Sequence, residues 1–153
     1  MIIFRVDDRL IHGQVVENWL GAFNIKHILV VNDEVKKDEL RRNIMRFSTP
    51  ENIELDFLDV SGISNFTFNE NKNYIVLFET LDDVLSAVKS GLKIEKLNLG
   101  GIHYAKGRNF SLGKAIFLSD GECAVLRELV SKGIDIYMQA IPQENGVKVG
   151  ADI

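Results

Sequence analysis

Within the first fifteen residues, the segment Arg5-Val6-Asp7-Asp8-Arg9-Leu10-Ile11-His12-Gly13-Gln14-Val15 gathers the groups that phosphate chemistry requires. The imidazole of His12 is a nucleophile near neutral pH. Arg5 and Arg9 carry planar guanidinium groups whose forked donors match phosphate oxygens. A helical apolar pattern begins just after His12, and the free backbone N–H groups of a helix start, here at Gly13, face an anion well. The segment therefore has what a phosphate carrier needs: His12 as nucleophile, with Arg5, Arg9 and Gly13 able to meet phosphate oxygens. Asp7 and Asp8 are neighbours in an extended segment, so their side chains point to opposite faces and make a poor cation pair. Asp7 is expected to orient the imidazole or an arginine, and Asp8 to act as a structural cap or a second orienter. Residue types alone go no further: a lone turn histidine is most often an ordinary surface group, and covalent phosphorylation does not follow from them.

The elements that must hold this loop are legible from apolar periodicity. Residues 2–6 form a short apolar run that ends abruptly at charge, the pattern of a buried strand. From Gly13, the positions Val15, Val16, Trp19, Leu20 and Phe23 recur at helical spacing, with Trp19 expected to pack inward. A second strand follows at 28–31. The spacing then predicts a helix over 33–47 with Val35, Leu40, Ile44 and Phe47 inward. A strand with one wetter face is expected at 53–60, a short helix or loop at 61–73 and an apolar strand at 74–78. Thr80 and Asp83 resemble a capping box for a helix that Gly91 closes, and Ser119 with Glu122 is a better one for a helix ending near Gly133. Strands are expected at 96–99, 115–118 and 134–141, the last before a polar tail. Alternating strands and helices imply βαβ units, hence one open, doubly wound α/β domain over residues 1–153 with helices on both faces of a mostly parallel sheet. In such sheets ligands gather beyond the carboxyl ends of strands, where the strand order reverses. His12 lies at that edge, and Gly100-Gly101 should join it there.

At 153 residues the chain can bury a sizeable core, and 46% apolar with 26% charged residues is ordinary for a globular protein. The net charge of −4 argues against nucleic acid as a partner. No apolar run approaches the roughly 18–20 residues that span a bilayer, no secretory signal opens the chain, and a lone Cys123 allows neither a disulfide framework nor a thiolate zinc cluster. The reading is cytoplasmic. His27 starts a strand and His103 follows the double glycine, and structural roles are expected for both. The basic residues Lys36, Lys37, Arg41 and Arg42 alternate with acidic ones and read as a solvated helix face. Gly113-Lys114 lacks the earlier glycine of a P-loop, and no dinucleotide, hydrolase or kinase motif is present. No cofactor or metal is implied, so a phosphate on His12 would have to come from another protein.

The wording of the first loop closely resembles the active-site loop of the IIB subunits of the mannose/fructose/sorbose family of bacterial sugar phosphotransferase systems. The resemblance continues through Val30-Val31-Asn32-Asp33-Glu34-Val35, the strand 74–78, Asn98-Leu99-Gly100-Gly101 with Gly107, and Lys132-Gly133-Ile134 with the strand leading to Pro142. It implies a seven-stranded, mostly parallel sheet and a phosphoryl shuttle. A IIA subunit or domain donates from its own histidine, His12 accepts, and the group passes to a sugar held by the membrane-embedded IIC and IID subunits. On the motif, the phosphorylated histidine maps to His12, the phosphate-side arginines to Arg5 and Arg9, and the loop aspartate to Asp7. The implied location is cytoplasmic and peripheral to the transporter, and a homo-oligomer is left open. Two departures stand out. Ala105 occupies a position where many members carry a basic residue, with Lys106 or Arg108 as replacements, and Pro142-Gln143-Glu144 stands for the commoner Pro-Thr-Asp. Two rival readings remain: a non-catalytic regulatory or docking module of the same fold, and a stand-alone enzyme using His12 as acid–base. A shuttle read by two proteins should expose His12 on a shallow rim.

Overall fold

The computed structural model describes residues 1–150 and 153; residues 151–152, at the end of the expected domain, lie outside the described residues. The apolar runs form β1 (Ile2–Asp7), β2 (His27–Val31), β4 (Tyr74–Phe78) and β5 (Lys96–Gly101), with β3 (Glu54–Leu58) and β8 (Asp135–Met138) outside them. Together with β9 (Val147–Lys148) they make one seven-stranded sheet in the order β3-β2-β4-β1-β5-β8-β9. All pairings are parallel except β8 with β9. β2 and β4 are buried along their whole length, which is why they read as unbroken apolar runs rather than alternating ones.

β1 sits between β4 and β5. The chain winds one way from β1 to β2 and β3, and the other way from β4 to β5, so the strand order reverses at the carboxyl end of β1. Helix α1 (residues 13–22) leaves from that end, with its middle turns, Val15–Leu20, wound as a π-helix. It packs on one face of the sheet with Val35 and Met45, burying Val15, Trp19 and Leu20 against Ile28, Ile75 and Leu77. On the other face lie α4 (Leu81–Lys89), α5 (Asp120–Ser131) and the 3₁₀ turn Val60–Asn65, covering Phe4, Val6, Val76, Leu97 and Leu99. Ser119 and Glu122 form a reciprocal capping box. At Thr80 only one arm forms, from the Asp83 N–H to the threonine hydroxyl at 3.1 Å. Gly91 and Gly133 end their helices at φ +112° and +85°, where a side chain would be strained. Among the described residues no helix is long and apolar enough to cross a membrane.

Three expectations change. The helix expected over 33–47 is two helices, α2 (Asp33–Lys37) and α3 (Glu39–Phe47), broken at Asp38. Asp38 has extended backbone and accepts a hydrogen bond from the Arg41 N–H, so it ends one helix and caps the next. The Arg42 guanidinium closes the gap by donating to the carbonyls of Val35 and Lys36. This break resets the helical phase. Val35 and Met45 face the sheet, whereas Leu40, Ile44 and Phe47 point to solvent, Phe47 at 92% exposure. The strand near 115–118, β7 (Ile116–Leu118), pairs with β6 (Phe110–Leu112) in a separate hairpin instead of joining the main sheet. The polar tail returns as edge strand β9, because Met138 and Tyr137 offer a free sheet edge to it.

The phase of α3 has a measurable consequence. Met45→Ala should cost about 2–3 kcal/mol through the cavity it leaves, whereas Phe47→Ala should stay within about 0.5 kcal/mol. Denaturant unfolding of the two variants checks this, and reversed values would restore the continuous helix.

Candidate functional site

Strand geometry alternates side chains across the sheet. Phe4 and Val6 enter the core under α4 and α5, so Arg5 and Asp7 emerge on the α1 side. Arg5 is completely buried, and the donors of both its terminal nitrogens are spent on protein. Nη1 donates to Asn98 Oδ1 at 2.6 Å and to the Gln139 carbonyl at 3.0 Å. Nη2 donates to Asp7 Oδ2 and to the Ala140 carbonyl, both at 3.0 Å. The guanidinium carbon lies 4.8 Å from the Trp19 ring centre, and the Trp19 indole N–H donates to the same Ala140 carbonyl. Of the three guanidinium nitrogens, Nε alone is buried without a partner.

Room for that guanidinium comes from β5. The β1–β5 register slips by one residue, Val6 opposite Leu99 but Asp7 opposite Gly101, which leaves Gly100 as a bulge. A Cβ on Gly100 would sit inside the Arg5 guanidinium. The double glycine is thus the floor of the site rather than a flexible rim loop.

Asp7 is equally buried and binds three basic side chains. Besides Arg5, it accepts from the Arg9 backbone N–H at 3.1 Å and Arg9 Nε at 3.3 Å, and it lies 2.9 Å from His12 Nε2. Burial alone would raise the Asp7 carboxyl. The His12 hydrogen bond, the Arg5 charge and the Arg9 N–H outweigh it and hold the group well below the usual carboxylate range. Desolvation in turn lowers Arg5, partly offset by Asp7.

The chain reaches this arrangement through a tight turn closed by the Leu10 N–H on the Asp7 carbonyl at 2.9 Å. Leu10 is fully buried at φ +57°, a left-handed conformation costing about 1–2 kcal/mol for a branched side chain. That reversal carries Ile11 into the core and swings His12 back over Asp7. His12 then opens α1, with its carbonyl taken by the Val16 N–H at 3.2 Å. Gly13 is exposed and a Cβ there would meet nothing, so what it offers is a backbone N–H at the helix start.

Asp7 is ionised, so it accepts only, and His12 carries its proton on Nε2. Nδ1 has no partner among the described residues and is the open nitrogen. The His12 side chain is 16% exposed. It is less open than a rim histidine was expected to be, since one edge of the ring leans on Asp7. Arg9 is 40% exposed; Nη2 reaches Gln14 Oε1 at 3.2 Å and Nη1 is unpartnered among the described residues. Arg9 and His12 therefore face outward together, with Gly13 beside them.

Arg5 is a correction. It was expected on the phosphate, but full burial and four hydrogen bonds leave it no donor for a ligand, and it serves as the anchor of Asp7. Asp8 is an orienter, holding the His103 N–H at 2.8 Å and His103 Nδ1 at 2.6 Å. Arg108 is committed to Glu122, at 2.9 and 3.1 Å, and Lys106 is exposed. His27 is structural, buried at the far end of the sheet beside Tyr74 and bonded to Asp56 at 2.6 Å. Sequence reasoning missed Asn98 and the carbonyls of residues 139 and 140. A lone polar side chain inside an apolar strand was the available signal for Asn98. A cleft of about 240 Å³ between the β6–β7 hairpin and residues 138–147 contains neither His12 nor Arg9.

A carboxylate-held imidazole at the reversal point of an open α/β sheet, beside a partly exposed arginine, is an arrangement suited to an anionic group such as phosphate. Residues 1–151 match the family model of the PTS system sorbose subfamily IIB component. The PTS sorbose-specific EIIB component of Lacticaseibacillus casei is 32% identical over 152 residues, 97% of this chain and 92% of that one. The PTS mannose-specific EIIAB component of Escherichia coli K12 is 28% identical over 148 residues, 95% of this chain and 46% of the longer relative. Among solved structures, the IIBSor domain of the sorbose permease from Klebsiella pneumoniae superimposes with a TM-score of 0.86 at 30% identity, covering 96% and 92% of the two chains. The chain belongs to the sorbose-subfamily IIB components of the phosphotransferase system, phosphotransfer subunits of sugar transport.

Removing the Asp7 charge should expose how much rests on it. Asp7→Asn leaves Arg5 buried without its counter-ion and should cost about 3–5 kcal/mol at pH 7. Because the folded carboxyl lies below its unfolded value of about 4, its stabilisation is present above that pH and is lost as pH falls toward the folded value. Wild-type stability should drop through that acid window, and the variant should lose this component, as denaturant titrations at several pH values would measure. Gly100→Ala should likewise destabilise by about 3 kcal/mol, since the new methyl group displaces the Arg5 guanidinium.

Proposed function

We propose that the protein accepts a phosphoryl group on His12 Nδ1 from a phosphorylated IIA subunit and passes it to a hexose-type sugar held by the membrane IIC and IID subunits. The observation that carries this reading is the 2.9 Å contact of His12 Nε2 with buried Asp7. It holds the proton on Nε2 and leaves the Nδ1 lone pair directed outward. In the first step that lone pair forms the new N–P bond as the donor imidazole leaves with the electrons of the old one. The phosphorylated ring keeps its Nε2 proton, and the Asp7 carboxylate balances its positive charge. In the second step a sugar hydroxyl oxygen forms the O–P bond as the N–P bond breaks, the electron pair of that bond returns to Nδ1 to restore the neutral ring, and the hydroxyl proton passes to a base beside the sugar or to water.

Phosphoryl transfer proceeds through a loose transition state, so catalysis is positioning and charge stabilisation. Arg9 suits the second task, with Nη1 open and its other nitrogens held by Asp7 and Gln14. The N–H groups at Gly13 and Gln14 suit the same oxygens. No cofactor enters the cycle; the phosphohistidine is its only intermediate. The mannose-specific relative is named as a joined IIA and IIB, which supports IIA as the donor. A IIB subunit working with IIC and IID would act in the cytoplasm, at the membrane transporter's inner face.

Incubation with phospho-IIA should label wild-type protein with acid-labile phosphate and leave His12→Ala unlabelled yet folded. Full labelling of that variant would exclude His12 as acceptor. Arg9→Lys keeps the charge but loses the fork, and should slow transfer about tenfold with little change in docking. A wild-type rate in the lysine variant would make Arg9 a merely positional residue.

A further inference from the structure

Beyond β5 the chain stays extended. Ile102 is buried and bridges to Ile116, with its N–H on the Ala115 carbonyl at 2.9 Å. Its side chain enters the core under α4 and α5, so Gly101 and His103 on either side of it face the opposite way. That face is the transfer face: a Cβ at Gly101 would stand 3.6 Å from Asp7 Oδ1 and 3.7 Å from Arg9 Nη2. His103 is the next residue along it.

The ring of His103 is built into place. Asp8 takes its backbone N–H at 2.8 Å and Nδ1 at 2.6 Å, while Asp8's own N–H is fixed on the Gly101 carbonyl at 3.0 Å. Arg108 donates to the His103 carbonyl at 2.7 Å and is locked to Glu122 of α5. The consecutive aspartates thus each hold one imidazole: Asp7 takes Nε2 of His12, and Asp8 takes Nδ1 of His103. The His103 side chain remains 58% exposed, and its Nε2 has no partner among the described residues. A side chain kept only to tie down its loop would need the Asp8 contact and nothing more.

We propose that His103 is a further catalytic residue of the transfer, donating a hydrogen bond from Nε2 to a non-bridging oxygen of the phosphoryl group while His12 Nδ1 is its acceptor. The inference rests on the acceptor reading of His12. Since Nδ1 already gives its hydrogen to Asp8, Nε2 donates only when the ring is protonated. The charged groups around it are Asp8 from the first loop, Arg108 from its own loop and Glu122 from α5.

The test is the rate of transfer from phospho-IIA for wild type, His103→Asn and His103→Gln. Asparagine reproduces the Nδ1 donor to Asp8 and reaches no further. Glutamine places an amide nitrogen where Nε2 stood. The asparagine variant should keep the wild-type unfolding midpoint and KM for phospho-IIA, yet transfer about tenfold more slowly, as expected for one lost charge-assisted hydrogen bond. The glutamine variant should recover most of the rate. An asparagine variant with the wild-type rate, or a glutamine variant no faster than the asparagine one, would reduce His103 to a loop anchor. Labelling of His12→Ala would instead overturn the acceptor reading itself, so the two failures are told apart.

Discussion

The buried pair of Arg5 and Asp7 is the constraint around which this end of the molecule is organised. Two full charges stand at the carboxyl end of the central strand, with no solvent access at either side chain. Such burial is tolerated only when the two charges are paired and further hydrogen bonds take up most of their remaining donors and acceptors. Asn98, the carbonyls of residues 139 and 140, the Trp19 ring, Arg9 and His12 are those partners. The bulge at Gly100 follows from the same demand, because a pleated strand with a side chain there has no space for a guanidinium. So does the early end of β8, whose chain must turn at Gln139 to present two carbonyls inward. What results is a carboxylate whose position and ionisation are set by the core, on which a surface imidazole can lean.

This arrangement separates rigidity from exposure. Asp7 is held from beneath by the sheet, while Arg9 and His12 reach it from above on a tight turn whose left-handed Leu10 stores strain. Val6 and Asp7 before Arg9 and Leu10 and Ile11 after it are buried, so the turn is fastened by the core on both sides. A cleft between the β6–β7 hairpin and the β8–β9 loop is a separate feature that His12 and Arg9 do not line. The open Arg9 nitrogen and the helix start place positive charge beside the His12 ring.

The sequence by itself determined most element types and the mostly parallel sheet, because these rest on short-range signals. Unbroken apolar runs mark strands buried on both faces, and a capping box marks a helix start at Ser119. The wording of the loop with His12, Arg9 and Asp7 pointed to the family that the comparisons show. The different places of the two arginines were beyond its reach. Arg5 and Arg9 are the same residue type four positions apart, and which one is buried and which one is open depends on strand parity and on partners at positions 98, 139 and 140. Those partners are 93 to 135 residues away. Only the tertiary structure brings them together. It likewise decided the phase of α3, where one aspartate serving as cap to two helices turned three apolar residues outward. The same holds for Asp8 and His103, 95 residues apart, whose contact exists because β1 and β5 are neighbours in the sheet. Local pattern reads periodicity and caps; it has no access to what a strand's neighbour supplies from across the sheet.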